Sequence, residues 1–228
     1  MNIDLESLIL SSNKQIIILS AGMQRSGSTW LYNAARLLLT NSPLTCNITS
    51  YGWIGDLPTI PRKRIMLIKI HAFDDRIINM DARKIILYSY RDLRDVLASS
   101  KRIWNQEPSV DLAAHLIHND LLWRRCADFI MRYESMICDQ HAMLKELASF
   151  LKINKVETYE IISQIGQLNY DNNGRKNQTY HMENLLHKGH ITDGRHGSWK
   201  GILDVNLVKQ IENEYRDWFI QNNYPLSE

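Results

Sequence analysis

The segment richest in chemistry is Gly22-Met23-Gln24-Arg25-Ser26-Gly27-Ser28-Thr29-Trp30, which follows an apolar run and opens a helical pattern. A turn between a buried strand and a helix N-terminus aims several free backbone N–H groups and the positive end of the helix dipole at one point, which suits a phosphate. Gly27 lets the backbone approach closely, Ser28 and Thr29 add hydroxyl donors, and Arg25 adds charge. The glycine spacing is that of a Walker A loop, but G-x-x-x-x-G-K-[ST] requires Lys at position 28, where Ser28 stands. The same residues also read as a plain Ser/Gly turn, with Ser28 or Ser26 capping the helix.

Charge points the same way. The 228 residues carry 27 Lys and Arg against 25 Asp and Glu, a net of +2. That balance hides a basic centre, because Pro61 to Trp104 holds 11 basic and 5 acidic side chains while the remainder is acidic. A basic centre in a near-neutral protein suits an anionic ligand more than a nucleic-acid coat, although a solvated basic face gives the same count. With 44% hydrophobic and 23% charged residues the composition is that of an ordinary globular domain, and one domain over residues 1–228 is expected. Asp4 and Glu6 stand where a signal peptide needs a basic region, and no apolar run reaches the ~18 residues of a membrane span, so a cytoplasmic location without membrane partners is expected. Cys46, Cys126 and Cys138 are odd in number and widely spaced, which suits reduced thiols. His187, Lys188, His190, Asp193 and His196 cluster, but match no H-E-x-x-H pattern, so no metal site is expected.

The elements that must position these groups alternate. Gln15 to Ala21 is a short β-branched run that reads as a buried parallel strand, followed by a helix that Asn41, Ser42 and Pro43 stop. Asn41 to Pro61, with three prolines and two glycines, reads as a long irregular connection whose Tyr51 and Trp53 either line a pocket or pack the loop. Strands are predicted at Arg64 to Ile70 and Lys84 to Tyr90, the second running into a helix near Asp92. Next come a helix at Val110 to Arg125, a strand at Phe129 to Tyr133, and helices at Gln140 to Leu151 and Val156 to Ile165. His115 and His118 fall on a solvated face of the Val110 helix. Asn169 to Arg195 lacks a period and reads as a loop or mobile arm, and Asn206 to Gln221 as one final helix. Strand and helix in alternation imply an α/β domain with a parallel sheet flanked by helices.

At this point the residues resemble a known family. Arg25-Ser-Gly-Ser-Thr-Trp30 is similar to the 5′-phosphosulfate loop of sulfotransferases that use 3′-phosphoadenosine 5′-phosphosulfate (PAPS). Lys69-Ile70-His71 resembles that family's Lys-Thr-His, in which His is the general base and Lys faces the transferring sulfuryl group. Lys84 to Ser100 resembles its 3′-phosphate segment through Arg91 and Ser99; a salt bridge of Arg91 to Asp92 or Asp95 is the alternative, which would not explain its place at a strand end. Tyr133 matches the tyrosine that helps hold the adenosine, and Lys188, Gly189, Gly197, Trp199 and Lys200 match the closing Arg-Lys-Gly and Gly-x-Trp-Lys elements. Two residues depart from the pattern. Arg25 stands where many members have Lys, and His187 where many have Arg, which makes the 3′-phosphate contact of His187 dependent on pH.

The resemblance spans Gln15 to Leu203 in the family's order and implies a single-domain fold related to P-loop nucleotide kinases. It implies in-line sulfuryl transfer from PAPS to an acceptor hydroxyl or amine, with His71 as base and Arg25 and Lys69 stabilising the leaving phosphate. The nucleotide would be held by Arg25, Ser26, Gly27, Ser28, Thr29, Trp30, Arg91, Ser99, Tyr133, His187, Lys188 and Gly189. The acceptor, a small molecule, carbohydrate or peptide, would meet loops at Asn41 to Pro61, Phe73 to Asp81 and Asn169 to Arg195, and no nucleic-acid partner is implied. Oligomeric state is not written in these motifs. A small-molecule or nucleotide kinase and a non-catalytic bisphosphate-binding protein remain alternatives. The absent lysine at position 28 weighs against the kinase.

Overall fold

The computed structural model describes residues 2–42, 48–57, 59–60, 63–153, 156–170, 179–189 and 194–227. Helix α1 (Leu5–Ser11), capped by the Asp4 carboxylate on Ser7 N–H, leads into β1 (Ile16–Gly22), whose seven residues are all buried. Helix α2 (Ser28–Thr40) follows. The chain continues through β2 (Ile48–Trp53), β3 (Ile65–Ile70), the short α3 (Asp75–Ile78), β4 (Arg83–Tyr90), α4 (Leu93–Trp104), α5 (Val110–Arg124) and β5 (Phe129–Arg132). Then come α6 (Tyr133–Cys138), α7 (Gln140–Phe150), α8 (Thr158–Gln167), α9 (Val205–Glu214) and α10 (Arg216–Gln221).

All strands run parallel in the order β2-β3-β1-β4-β5. A parallel sheet must be covered on both faces, and this one is. Ile16 and Ile18 of β1 join a cluster with α1, α2, α7 and α8, whereas Ile17 and Leu19 join the opposite cluster with Ile77 of α3 and Trp123 of α5. The period of two along β1 thus divides its side chains between two cores. A third cluster packs α4 and α5 against α9 and α10.

The sequence expectations differ from the structure in four places. The connection expected from Asn41 to Pro61 contains β2, an edge strand whose Ile48, Thr49 and Ser50 register with Ile65, Met66 and Leu67 before a shift places Trp53 opposite Lys69. Pairing on one edge alone lets it carry Gly52 and interrupt its register, so its period is weak. The strand expected to reach Tyr133 stops at Arg132, and Tyr133 opens α6. The single C-terminal helix breaks at Tyr215, which lets α10 bury Trp218 and Phe219. Neither serine caps α2. Gly27 does so in the left-handed conformation (φ 75°), while Ser26 turns inward.

His115 and His118 are exposed, as expected. The arm is a loop wherever it is described, with one antiparallel bridge between Tyr180 and His187.

Candidate active site

The register of the sheet brings the candidate groups to one edge. Ala21 lies opposite Ile70 and Gly22 opposite Ser89, so β1, β3 and β4 end level and their following turns share a single mouth. A Cβ on Gly22 would stand 2.3 Å from Ser89 Oγ and 2.6 Å from Ser28 Cβ, which reserves that position for glycine. Ser26 is fully buried and donates to Met23 O at 2.6 Å, locking the turn rather than facing its mouth. A Cβ on Gly27 would meet Met136 Cε at 2.9 Å and the Tyr133 ring at 3.0 Å, so the loop lies against α6. Gly27, Ser28, Thr29 and Trp30 line a cavity of about 520 Å³ that opens at this edge.

Lys69 projects from β3 and is 6% exposed. Its ammonium donates to Thr29 Oγ1 at 2.7 Å and has no carboxylate in ion-pair reach among the described residues. Burial, and then the nearby Arg25 charge, push it down to about 7. Arg25, with a positive φ of 61°, donates from Nε to Ser99 Oγ at 2.9 Å and lies 5.5 Å from the Trp104 ring. Burial, followed by the Arg91 charge, lowers it to about 10.

His71 follows directly after β3. Its Nδ1 lies 2.6 Å from Gly22 O, and a carbonyl can only accept, so Nδ1 carries the proton and Nε2 keeps a free lone pair. Trp123 Nε1 donates to His71 O at 2.9 Å, and the Trp53 ring tilts over the imidazole at 5.1 Å. Burial and then the Lys69 charge push the imidazole down to about 3, so it is neutral at pH 7.

Arg91 leaves the end of β4 with 4% exposure. Nη1 donates to Arg25 O at 3.2 Å, Nη2 donates to Arg195 O at 2.8 Å, and the guanidinium lies 4.1 Å from the centre of the Tyr133 ring. Asp95 stands 3.6 Å from Nη2, so the salt bridge foreseen from sequence does form. Arg91 nevertheless keeps a buried Nε–H without a hydrogen-bond partner among the described residues. An orphaned buried donor in a cationic cavity is a place for an anion to bind.

Most of the candidate residues converge. Arg25, Gly27, Ser28, Thr29, Trp30, Lys69, His71, Arg91, Ser99, Tyr133 and His187 all line the cavity. Lys188 and Gly189 are exposed and outside that lining, whereas Gly194 is part of it and accepts from the Tyr133 hydroxyl at 2.8 Å. Burial lowers His187, whose Nδ1 lies 3.1 Å from Lys188 O. Much of the remaining lining is apolar, with Trp53, Ile137, Ile165, Leu168, Leu185 and Leu186. Trp53 takes both roles left open for it, lining the cavity and packing on the core; the Tyr51 side chain lies outside what is described.

Sequence reasoning passed over Asn33, Trp104, Gln140 and Gly194, and gave Asp95 only as a salt-bridge partner of Arg91. Asn33 Nδ2 reaches Asn184 O at 2.7 Å, Arg36 beside it pairs with Glu183, and together they seat the arm on α2. Gln140 Oε1 accepts from Trp30 Nε1 at 3.0 Å. Only Asp95 left a signal, four residues after Arg91 on one helix.

Among the described residues there is no cluster of three or more metal-ligating side chains and no helix long and apolar enough to cross a membrane. His190 and Asp193 lie outside the described residues.

No curated protein matches the sequence. Among solved structures the chain is similar to mouse sulfotransferase SULT7A1 complexed with PAP, with 16% identity, a TM-score of 0.65, and coverage of 94% of this chain and 90% of that one. It is also similar to retinol dehydratase in complex with retinol and PAP, at 17% identity, a TM-score of 0.55, and coverage of 93% and 83%. The same is true of retinol dehydratase with androsterone and inactive cofactor PAP, at 17% identity, a TM-score of 0.55, and coverage of 93% and 82%. At these identities the likeness is one of fold. The family model for the sulfotransferase domain matches residues 122–223, which include Tyr133 and Trp199, while Arg25, Lys69 and Arg91 precede it. The sequence match over residues 122–223 and the likeness of fold over the whole chain point to the same family, that of the sulfotransferase domain.

Proposed function

We propose that the whole chain forms one sulfotransferase domain that moves a sulfuryl group from PAPS to an acceptor hydroxyl or amine. The observation that carries this reading is the convergence of Lys69, with no carboxylate partner among the described residues, Arg25 and the orphaned Arg91 Nε–H on one turn that ends in a helix N-terminus. That donor set suits an anion with more than one charged group. PAPS would supply the activated sulfuryl group, and in transfer the acceptor oxygen or nitrogen bonds to sulfur as the bond from sulfur to the phosphate oxygen breaks.

In this reading the free N–H groups of the Gly22 to Thr29 turn and the Ser28 and Thr29 hydroxyls hold the 5′ end. Arg91 and Ser99 hold the 3′-phosphate, and Tyr133 the adenosine. Arg25 and Lys69 offset charge that grows on the leaving oxygen, the step at which fixed cations lower the barrier most. His71 takes the acceptor proton on Nε2, the nitrogen its bond to Gly22 leaves open. Retinol and androsterone stand in the names of the two similar retinol dehydratase structures, and the apolar part of this cavity's lining supports an acceptor with a sizeable apolar body.

Thermal denaturation with adenosine 3′,5′-bisphosphate (PAP) and with AMP tests the site. The bisphosphate should stabilise the protein by about 2.7 kcal/mol at 100 times its dissociation constant, and AMP much less. Equal shifts would remove Arg91 and Ser99 from the site and favour a kinase-like nucleotide pocket. Transfer of radiolabelled sulfate from PAPS to a panel of phenols, alcohols and amines then tests the reaction.

A further inference from the structure

Asp95 is fully buried on α4, one helical turn beyond Arg91. Its carboxylate accepts from Gly197 N–H at 2.7 Å, Trp199 N–H at 3.0 Å and the Ser198 hydroxyl at 3.1 Å, and stands 3.6 Å from Arg91 Nη2. The turn it grips acts on Arg91 in its own right, because Arg195 O accepts from the same Nη2 at 2.8 Å. One carboxylate therefore organises both the closing turn and one edge of the guanidinium. A negative charge beside an anion site repels the anion, so its charge alone disfavours the ligand. Geometry accounts for its place: Nη1 is held by Arg25 O, Nη2 by Arg195 O and Asp95, and the face by Tyr133, which leaves Nε as the one guanidinium nitrogen with no hydrogen-bond partner among the described residues, its N–H open to an incoming group.

We propose that Asp95 is a positioning residue for the anion site, holding Arg91 and residues 197–199 in the arrangement that receives the 3′-phosphate. The proposal rests on the bisphosphate reading of the cavity. Asp95→Asn keeps the size of the side chain but sets an amide donor against Gly197 N–H and Arg91. Asp95→Glu keeps the charge but moves the carboxylate one methylene further out.

Isothermal titration of adenosine 3′,5′-bisphosphate and AMP into wild type and both variants, with melting curves to confirm folding, decides the matter. Each variant should bind the bisphosphate about 10- to 50-fold more weakly, while AMP changes by less than about threefold. KM for PAPS should rise in step with kcat nearly unchanged, a split that general loosening of the fold would not give. A purely electrostatic Asp95 predicts the opposite sign, tighter bisphosphate binding in Asp95→Asn. Unchanged or tighter binding in whichever variant folds overturns the proposal. If wild type itself fails to prefer the bisphosphate over AMP, the reading of the cavity falls and this inference falls with it.

Discussion

Gly22 O can only accept, so it fixes the proton of His71 on Nδ1 and leaves Nε2 as the one basic atom the imidazole offers. His71→Ala should lower kcat by roughly 10²- to 10⁴-fold and leave bisphosphate affinity within a few-fold. Near-normal turnover in that variant would make His71 structural. The pH profile has a worked sign. The imidazole is pushed down to about 3 and stays neutral throughout the neutral range, whereas Lys69 at about 7 loses its proton as pH rises through neutrality. For PAPS, kcat/KM should therefore be flat from about pH 5 to 6.5 and decline above about 7, where an ordinary histidine would give a rise centred near 6.5. Such a rise would show that His71 titrates normally. The turn from Gly22 to Thr29 was legible in the sequence because Gly and Ser betray a tight turn wherever they stand. The closing residues were not. Lys188 and Gly189 match a motif by order alone, yet the place of the closing turn is set by the grip of Asp95 on residues 197–199, a contact about a hundred positions apart.

Elements with a strong period were read nearly to the residue. β1, β3, β4, α5 and the start of α4 are buried on at least one face and show it in their spacing. β2 and the arm were read as loops for one physical reason: each is held by neighbours rather than by a pattern of its own. Asn33 donates both to Thr29 O and to Asn184 O, so α2 carries the Gly22 to Thr29 turn at its start and the arm one turn later. Tyr180, Leu185, Leu186 and His187 of that arm wall the cavity. Asn33→Ala leaves the Asn184 carbonyl short of a partner, at a cost of about 1–3 kcal/mol. Proteolysis within residues 169–195 should become several-fold faster and the acceptor KM should rise, while bisphosphate affinity changes little. Unaltered cleavage would show that the arm is seated by its apolar contacts.

The C-terminal segment is tied to the start of α4 by a buried ion cluster. Arg94, 2% exposed, donates to Asp92 and Glu212 and reaches Pro225 O at 2.9 Å, and Glu212 also accepts from Ser227 N–H at 3.0 Å. Arg94→Met would strand two buried carboxylates, and urea denaturation should show a loss of about 3–5 kcal/mol. A loss below about 1 kcal/mol would mean that water reaches the cluster. The α/β class and the parallel sheet were legible from alternation alone. The order of the strands was not, since a period says which face a residue takes and never which neighbour it meets.

That order has a consequence for how the chain is made. β1 lies at the centre of the sheet, but its partners are β3 and β4, residues 65–70 and 83–90. Emerging from a ribosome, the strand QIIILSA has no edge covered until some fifty residues later and both covered only after some seventy, and is an aggregation-prone ribbon in the interval. The cations of the cavity are drawn together by the same pairings that end this exposure. Pairing with β3 brings Lys69 beside Arg25 and pairing with β4 brings Arg91, so the cations of the cavity assemble only as β1 gains its two neighbours.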